Sequence, residues 1–140
     1  MLPKGYQVQS GDGEAHCSLG RVLNNKGDLD GAELCFRRAI EIDQEDAYAH
    51  WLLGCVLEDK GDLDGAEMSL RRVIEIEPEN SFGHYLLGGL LMIMGLGHLD
   101  GAEMSVTRAI EINPEDDDYH SLLRCLLKAI DIRDEPSDGE

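Results

Sequence analysis

The sequence predicts an all-α fold built from antiparallel helix pairs, and an internal repeat is the first reason. The segment Lys-Gly-Asp-Leu-Asp-Gly-Ala-Glu occurs at 26–33 and again at 60–67, and a shortened form of it occurs at 97–103. A Leu-Gly pair precedes each copy, and successive pairs are 34 residues apart. A period of this size is typical of arrays in which each helical repeat packs on its neighbours.

Each half of the repeat has the apolar spacing of an amphipathic helix. In the second repeat, Leu53 and Leu57 share one face of the first helix with Gly54. Ala66 and Leu70 begin a similar apolar face in the second helix. Two helices per repeat are therefore predicted, and no strand pattern interrupts them.

Short turns separate the two helices of each pair. Gly27 suits the left-handed backbone that ends a helix, and Asp28 or Asp30 can accept the first free amides of the next helix. The equivalent residues of the second repeat are Gly61, Asp62 and Asp64. Each Gly-Asp step therefore predicts the end of one helix followed at once by the start of another.

The repeats set the predicted domain boundaries. The third repeat is two residues longer than the others, and its extra residues fall within 92–98. We expect a flexible N-terminal arm, a repeat domain and an acidic disordered tail, at 1–12, 13–132 and 133–140. The three repeats and a C-terminal capping helix span about 13–46, 47–80, 81–116 and 117–132.

The repeated positions resemble the tetratricopeptide repeat, a helix–turn–helix unit of 34 residues. The matching residues of the second repeat are Leu53, Gly54, Leu57, Ala66, Leu70 and Pro78. The first repeat has Gln44 in place of the proline, and the third carries its insertion. The resemblance implies a right-handed α-solenoid whose first helices line a concave groove that holds a peptide or helix of a partner. That family is a general platform for protein contacts, so the resemblance names no particular partner.

Charge and composition disfavour several classes of function. The chain of 140 residues has 12 basic and 29 acidic side chains, and its net charge of −17 opposes binding to nucleic acids. No apolar run approaches the ~20 residues that span a bilayer, and no secretory signal is predicted. The four cysteines include no C-x-x-C pair and fall in predicted helices, as expected of reduced thiols in the cytoplasm.

A second apolar stripe on the first helices is the predicted binding site. It lies beside the Leu-Gly face, at i, i+3, i+4 and i+7 of the second repeat, and it recurs in the third. Its residues are Tyr48, Trp51, Leu52, Cys55, Phe82, Tyr85 and Leu86. The corresponding face of the first repeat is polar, and Arg21 and Asn25 are the predicted contacts there. Exposed apolar patches with aromatic anchors usually mark interaction sites.

The stripe supports more than one hypothesis. In the first, the chain is an adaptor or scaffold for a protein or peptide ligand with an apolar anchor and basic flanks. In the alternative, it is a self-assembling module that buries the stripe in a homodimer; in a third, it is a targeting fragment of a larger enzyme. Trp51 and Tyr85 can also complete the packing between neighbouring first helices. Some relatives hold acidic chaperone tails with basic and amide side chains on this face, but among the matching residues here only Arg21 is basic.

Histidines and carboxylates suggest metal or catalytic sites, which their spacing disfavours. Four histidines recur at equivalent places on successive helices: His16, His50, His84 and His120. We expect them to fill the seam between repeats, because helix axes ~8–10 Å apart cannot bring all four to one zinc ion. The Asp-Leu-Asp-Gly segments lack the spacing of a calcium loop. No nucleophile–base pair is predicted, and we expect no metal, no cofactor and no enzymatic activity.

Overall fold

The computed structural model describes residues 12–136, which form seven α-helices and no β-strand. The helices are α1 (Asp12–Asn25), α2 (Leu29–Ile42), α3 (Ala47–Asp59), α4 (Leu63–Ile76), α5 (Ser81–Met94), α6 (Leu99–Ile112) and α7 (Asp117–Asp134). A short 3-10 helix, Leu96–His98, lies between α5 and α6. The prediction of an all-α fold is confirmed.

The predicted arm and tail fall largely outside the described residues. Residues 1–11 of the arm and 137–140 of the tail are not among them. Helix α1 begins at Asp12, which the sequence assigned to the arm. Helix α7 continues to Asp134, two residues beyond the predicted end of the capping helix. The start of the predicted tail is therefore helical.

The chain divides into two compact units, and the division falls inside α4. The first unit ends at Arg72 and the second begins at Val73. Within the first unit, α2 packs against α1 and α3. Within the second, α6 packs against α5 and α7 in the same alternation. Each unit thus repeats the arrangement in which a second helix lies against the first helices before and after it.

Glycine and aspartate shape the turn inside each of the first two pairs. Gly27 and Gly61 have φ angles of 86° and 85°, in the left-handed region that side chains disfavour. Asp28 accepts a hydrogen bond at 2.9 Å from the backbone N–H of Gly31. Asp62 accepts the equivalent bond, also at 2.9 Å. Of the two candidate aspartates in each turn, the first is the one that caps the following helix.

The Leu-Gly pairs mark the places where paired helices approach closely. In the first unit, a Cβ atom at Gly20 of α1 would lie 2.5 Å from the ring of Phe36, a fully buried residue of α2. Gly54 of α3 meets Leu70 of α4 with more room, since a Cβ atom there would lie 3.4 Å from the leucine side chain. The ring of Phe36 therefore packs in this position only because residue 20 is a glycine.

The same contact is tightest in the second unit. A Cβ atom at Gly88 of α5 would lie 2.4 Å from Cγ2 of Val106 and 3.2 Å from the carbonyl oxygen of Ala102, both on α6. The neighbouring Leu87 is almost completely buried. Helix α7 packs against α6 and contributes the fully buried Leu126. The last helix thereby covers apolar surface that the array would otherwise expose.

The extra residues of the third repeat alter its turn. Gly95 follows α5 with a φ angle of 115°, and the 3-10 helix comes directly after it. His98 occupies the place of the capping aspartates and makes no capping hydrogen bond through its side chain. Leu96 is largely exposed on this turn. The second helix of the third pair therefore begins without the cap that α2 and α4 have.

A small ion-paired cluster connects the first two turns within the first unit. Lys60 Nζ lies 2.6 Å from an oxygen of Asp30 and 2.7 Å from Oε1 of Glu33. The other oxygen of Glu33 accepts a hydrogen bond of 2.8 Å from Arg37. Hydrogen bonds from Lys60 and then Arg37 lower the pKa of Glu33 below its ordinary 4.5. Hydrogen bonds to Asp30 and then Glu33 raise the pKa of Lys60 to about 12.

We expect Gly88→Ala to destabilise the protein and Gly54→Ala not to. The methyl group at position 88 meets Val106 and the backbone of α6, and such overpacking costs ~1–3 kcal/mol. Alanine offsets part of this with a gain of ~1 kcal/mol in helix propensity over glycine. Gly54→Ala has the same gain without the clash and is the matched control. Urea unfolding followed by circular dichroism compares the two, and a Gly88→Ala protein as stable as the control contradicts the close contact.

We expect Lys60→Gln to lower stability near neutral pH and to have little effect in acid. The folded-state pKa of Glu33 lies below its unfolded value, so its pairing stabilises the fold above that unfolded value and is lost as pH falls through the folded pKa. The raised pKa of Lys60 means that its own contribution is fully present below the unfolded pKa of 10.5 and is lost as pH rises from there through about 12. Carboxyl NMR titration should also show the pKa of Glu33 rising in the variant.

Lys26→Gln is the matched control for this change, because Lys26 occupies the same place in the first turn and has no ion pair with the described residues. Equal effects of the two substitutions on the pKa of Glu33 would show that the contact to Lys60 does not set it.

Candidate functional site

Helix α3 carries an aromatic pair in its first turns. Asp46 caps this helix by accepting a hydrogen bond from the N–H of Ala49, which places Tyr48 in the first turn. The ring centroids of Tyr48 and Trp51 lie 5.6 Å apart, with 35° between the ring planes. Tyr48 is 45% exposed and Trp51 is half-buried. The pair therefore presents aromatic surface to solvent from a rigid, capped helix.

Helix α5 repeats this arrangement in the second unit. Asn80 caps the helix through a 3.0 Å hydrogen bond from the N–H of Gly83. The rings of Phe82 and Tyr85 are stacked, with centroids 6.0 Å apart and 28° between planes. Phe82 is 47% exposed, close to the value for Tyr48, and Tyr85 is half-buried like Trp51. The outer ring of each pair is thus about half exposed, and the inner ring is more covered.

Tyr85 has a packing role as well. Its ring centroid lies 4.9 Å from that of Tyr119 on α7, with 31° between the planes. The Tyr119 hydroxyl lies 3.1 Å from the Ser81 hydroxyl at the start of α5. Tyr119 is itself buried. Part of the Tyr85 ring is therefore buried by packing between α5 and α7, and only the rest could contact a ligand.

The other stripe residues are less accessible than the outer aromatic rings. Leu52 is only 9% exposed and contributes to the core rather than to a contact surface. Cys55 and Leu86 are half-buried. The helical spacing of the sequence predicted which residues share this face, but it did not predict how deeply each side chain is buried.

The polar residues predicted for α1 lie where a ligand could reach them. Arg21 and Asn25 are both exposed, four residues apart on the same face of α1. Arg21 makes no ion pair with the described residues. Cys17, one turn earlier, is buried.

Three of the recurring histidines close the turn between repeats. His50 Nε2 lies 3.1 Å from the carbonyl oxygen of Gln44. His84 and His120 make the same contact with Pro78 and Pro114, at 2.9 and 2.8 Å. A carbonyl oxygen only accepts, so each Nε2 carries a proton and donates it. These imidazoles therefore have a structural role, whether or not the turn contains proline.

Two of the cysteine thiols, Cys17 and the predicted site residue Cys55, lie where burial disfavours the thiolate. Burial, followed by the nearby Asp46, raises the pKa of Cys17 to about 11. Burial, followed by Glu58 and Asp59, does the same for Cys55. Both thiols are therefore protonated at neutral pH and poor nucleophiles. Among residues 12–136, no group of three or more His, Cys, Asp or Glu side chains is arranged to hold a metal ion.

The first unit also has a cleft that the sequence analysis did not predict and that contains none of the stripe residues. It has a volume of about 690 Å³ and is lined by residues of α2, α3 and α4. Leu34 and Met68 at its edges are exposed. A signal for it was present in the repeat: the position directly after each Ala-Glu pair is apolar, as Leu34, Met68 and Met104, although the helix pattern does not bury it.

Two family models match the sequence. One, a TPR repeat, matches residues 20–61, and the other, a tetratricopeptide repeat, matches residues 47–80. Residues 20–80 of this chain therefore belong to the tetratricopeptide repeat family. The fold is accordingly an all-α tetratricopeptide solenoid, and the matched range includes the aromatic pair of α3.

Solved structures of this family superpose on most of the chain. The first tetratricopeptide domain of Spaghetti (RPAP3), bound to the HSP90 peptide SRMEEVD, has a TM-score of 0.80 at 16% identity and covers 90% of this chain and 98% of its own. The Yersinia enterocolitica type III secretion chaperone SycD, in complex with a peptide of the translocator YopD, has a TM-score of 0.77 at 20% identity. This match covers 93% of the present chain and 100% of the chaperone chain. These similarities show the fold.

A mutant O-GlcNAc transferase of Thermobaculum terrenum is also similar, with a TM-score of 0.72 at 25% identity. The match covers 87% of this chain but only 23% of the transferase chain. No curated protein matches the sequence significantly. Within residues 12–136, no helix combines the length and apolar content that crossing a bilayer requires.

We expect His84→Ala to lower the free energy of unfolding by about 1 kcal/mol, because the carbonyl of Pro78 loses its donor. His98→Ala is the control, since His98 is exposed and makes no side-chain capping bond. Thermal unfolding measures both variants. A zinc-dependent rise in the melting temperature of the unmodified chain that disappears in His84→Ala would instead assign the ring to metal binding.

Proposed function

We propose that this tetratricopeptide protein is an adaptor that binds a peptide or short helix of a partner protein through its first helices. The observation that carries the proposal is the repetition of one feature: Tyr48 with Trp51, then Phe82 with Tyr85, each pair with a half-exposed outer ring. Aromatic rings supply large contact areas at little cost in conformational entropy and are frequent anchors of protein interfaces.

The proposed contacts differ in their importance. Tyr48 and Phe82 make the main contacts because they are the most exposed of the set, and Trp51 and Tyr85 support them. Less exposed residues on the same helix faces add apolar area beside each pair, Cys55 on α3 and Leu86 on α5, and Leu52 lies behind the pair of α3. Arg21 and Asn25 on α1 would contact a polar part of the ligand.

The partner segment proposed has an apolar anchor and basic flanks. Each exposed ring follows an acidic turn: carboxylates stand at 43, 45 and 46 before Tyr48, and at 77 and 79 before Phe82. Basic side chains next to an apolar anchor would complement both the rings and these turns. A net charge of −17 would also steer a basic segment toward the protein.

Two relatives of known structure support the proposed class of ligand. The Spaghetti domain is bound to a peptide of HSP90, and the Yersinia chaperone is in complex with a peptide of YopD. Peptide binding is therefore compatible with this fold at this length. Nothing in the sequence favours the same peptides, since Arg21 alone is basic among the residues that match the clamp for acidic tails.

A cytoplasmic location is part of the proposal, because all four cysteines are free thiols.

A double variant, Tyr48→Ala with Phe82→Ala, tests the proposal. Peptides selected from a random library on the unmodified protein provide the ligand, and the Kd of the best binder is measured by fluorescence anisotropy. We expect the double variant to lose about tenfold or more in affinity, since each buried aromatic anchor contributes ~1–2 kcal/mol or more. Trp51 is the single tryptophan of the chain, so its emission should shift when the peptide binds.

Met104→Ala with Ile132→Ala is the matched control, because both side chains are exposed and apolar but lie on α6 and α7. Circular dichroism verifies that both double variants remain folded. Equal loss of affinity in the two would reject the aromatic stripe as the site. A stable dimer in sedimentation that the Tyr48/Phe82 variant dissociates would instead support self-assembly through the same rings.

A further inference from the structure

The cleft in the first unit lies apart from the aromatic stripe, on the side of the second helices. Its edges come from α2 and α4, and α3 contributes the buried Leu53 to its interior. A volume of about 690 Å³ lies within the range typical of ligand sites, ~300–1,000 Å³. Leu34 and Met68 line the cleft and are 55% and 75% exposed. Apolar side chains this exposed, on either side of a concavity, provide contact surface for a partner.

The lining of this cleft is richer in arginine than in carboxylates, although the protein as a whole is acidic. Three arginines line it, Arg37, Arg38 and Arg72, against one carboxylate, Glu41. By contrast, residues 12–72 as a whole contain 7 basic and 14 acidic side chains. At physiological salt the screening length is ~8 Å, so a ligand within the cleft is influenced mainly by the charges at or next to its lining. These are the three arginines, Glu41, and the two carboxylates that pair with Arg37 and Arg72.

The three arginines differ in how far they are already neutralised. Arg37 is paired with Glu33 at 2.8 Å, and Arg72 is paired with Glu45. Arg38 is exposed and makes no ion pair with residues 12–136. A second, smaller cleft of about 390 Å³ between α1 and α2 is also lined by Leu34 and Arg38. These two residues therefore form a ridge of one apolar and one cationic side chain between two concavities.

We infer that the cleft between α2, α3 and α4 binds an acidic segment of a partner protein, in which Asp or Glu residues flank an apolar side chain. The apolar side chain lies between Leu34 and Met68, and a neighbouring carboxylate accepts hydrogen bonds from Arg38. Arginine binds carboxylates through paired, charge-assisted hydrogen bonds. This surface goes beyond the proposed adaptor site, which takes a segment of opposite charge on a different face.

Fluorescence anisotropy with the full chain tests the inference. The probe is a labelled synthetic peptide in which glutamates flank a central Leu-Phe pair. Its two control peptides have lysine in place of glutamate, or alanine in place of Leu-Phe. We expect the probe to bind and both control peptides to bind at least about tenfold more weakly, because each lacks one half of the recognition.

Matched arginine and methionine variants locate the site. Arg38→Gln should raise the Kd of the probe about tenfold, whereas Arg71→Gln, an exposed arginine outside the cleft, should leave it unchanged. Met68→Ala should weaken binding several-fold, and Met104→Ala, its equivalent on α6, should not. All variants change exposed side chains, and circular dichroism verifies their folding.

Three results would overturn the inference: no binding of the probe, equal effects of Arg38→Gln and Arg71→Gln, or equal binding of the peptide without Leu-Phe. The Tyr48→Ala/Phe82→Ala protein separates this site from the proposed adaptor site. Retained probe binding by that protein supports an independent cleft, and loss of probe binding would assign the acidic segment to the aromatic stripe instead.

Discussion

The close helix contact at the glycine of two of the three Leu-Gly pairs is the constraint on which the rest of the structure depends. Gly20 admits the fully buried ring of Phe36, and Gly88 brings the backbone of α6 within contact of α5. Gly54 leaves about an ångström more room for Leu70. Because these contacts set how closely paired helices approach, they also set which face of each helix remains outside the pair.

The repeat spacing also places histidines and aspartates at equal intervals, where they make structural hydrogen bonds. His50, His84 and His120 each reach back six residues to a backbone carbonyl, so the repeat spacing is the spacing of a structural hydrogen bond. The aspartates of the turns are likewise occupied, since Asp28 and Asp62 cap helices. In this protein these histidines and aspartates form hydrogen bonds with backbone groups in the turns and at the first residues of helices.

Periodicity was sufficient to predict the fold, because the repeat forces the same helix pair at each copy. It could not give burial within the stripe: Leu52 and Tyr48 share a predicted face, yet Leu52 is 9% exposed and Tyr48 is 45% exposed. Depth depends on which neighbouring helix covers a side chain, as with Tyr85 against Tyr119. The cleft beside Arg38 was missed for a related reason, since a concavity arises between three helices and no single helix pattern contains it.

The distribution of charge gives the two proposed surfaces opposite preferences. Helix α5 has no charged side chain, and α3 has only Glu58 and Asp59 at its end, so their aromatic rings lie on nearly uncharged helices that follow acidic turns. Five of the eight arginines lie on the second helices α2, α4 and α6 instead. Net charge therefore describes the long-range field but neither surface. A segment with basic flanks and one with acidic flanks would each find only one complementary face, so the two would not compete for the same residues.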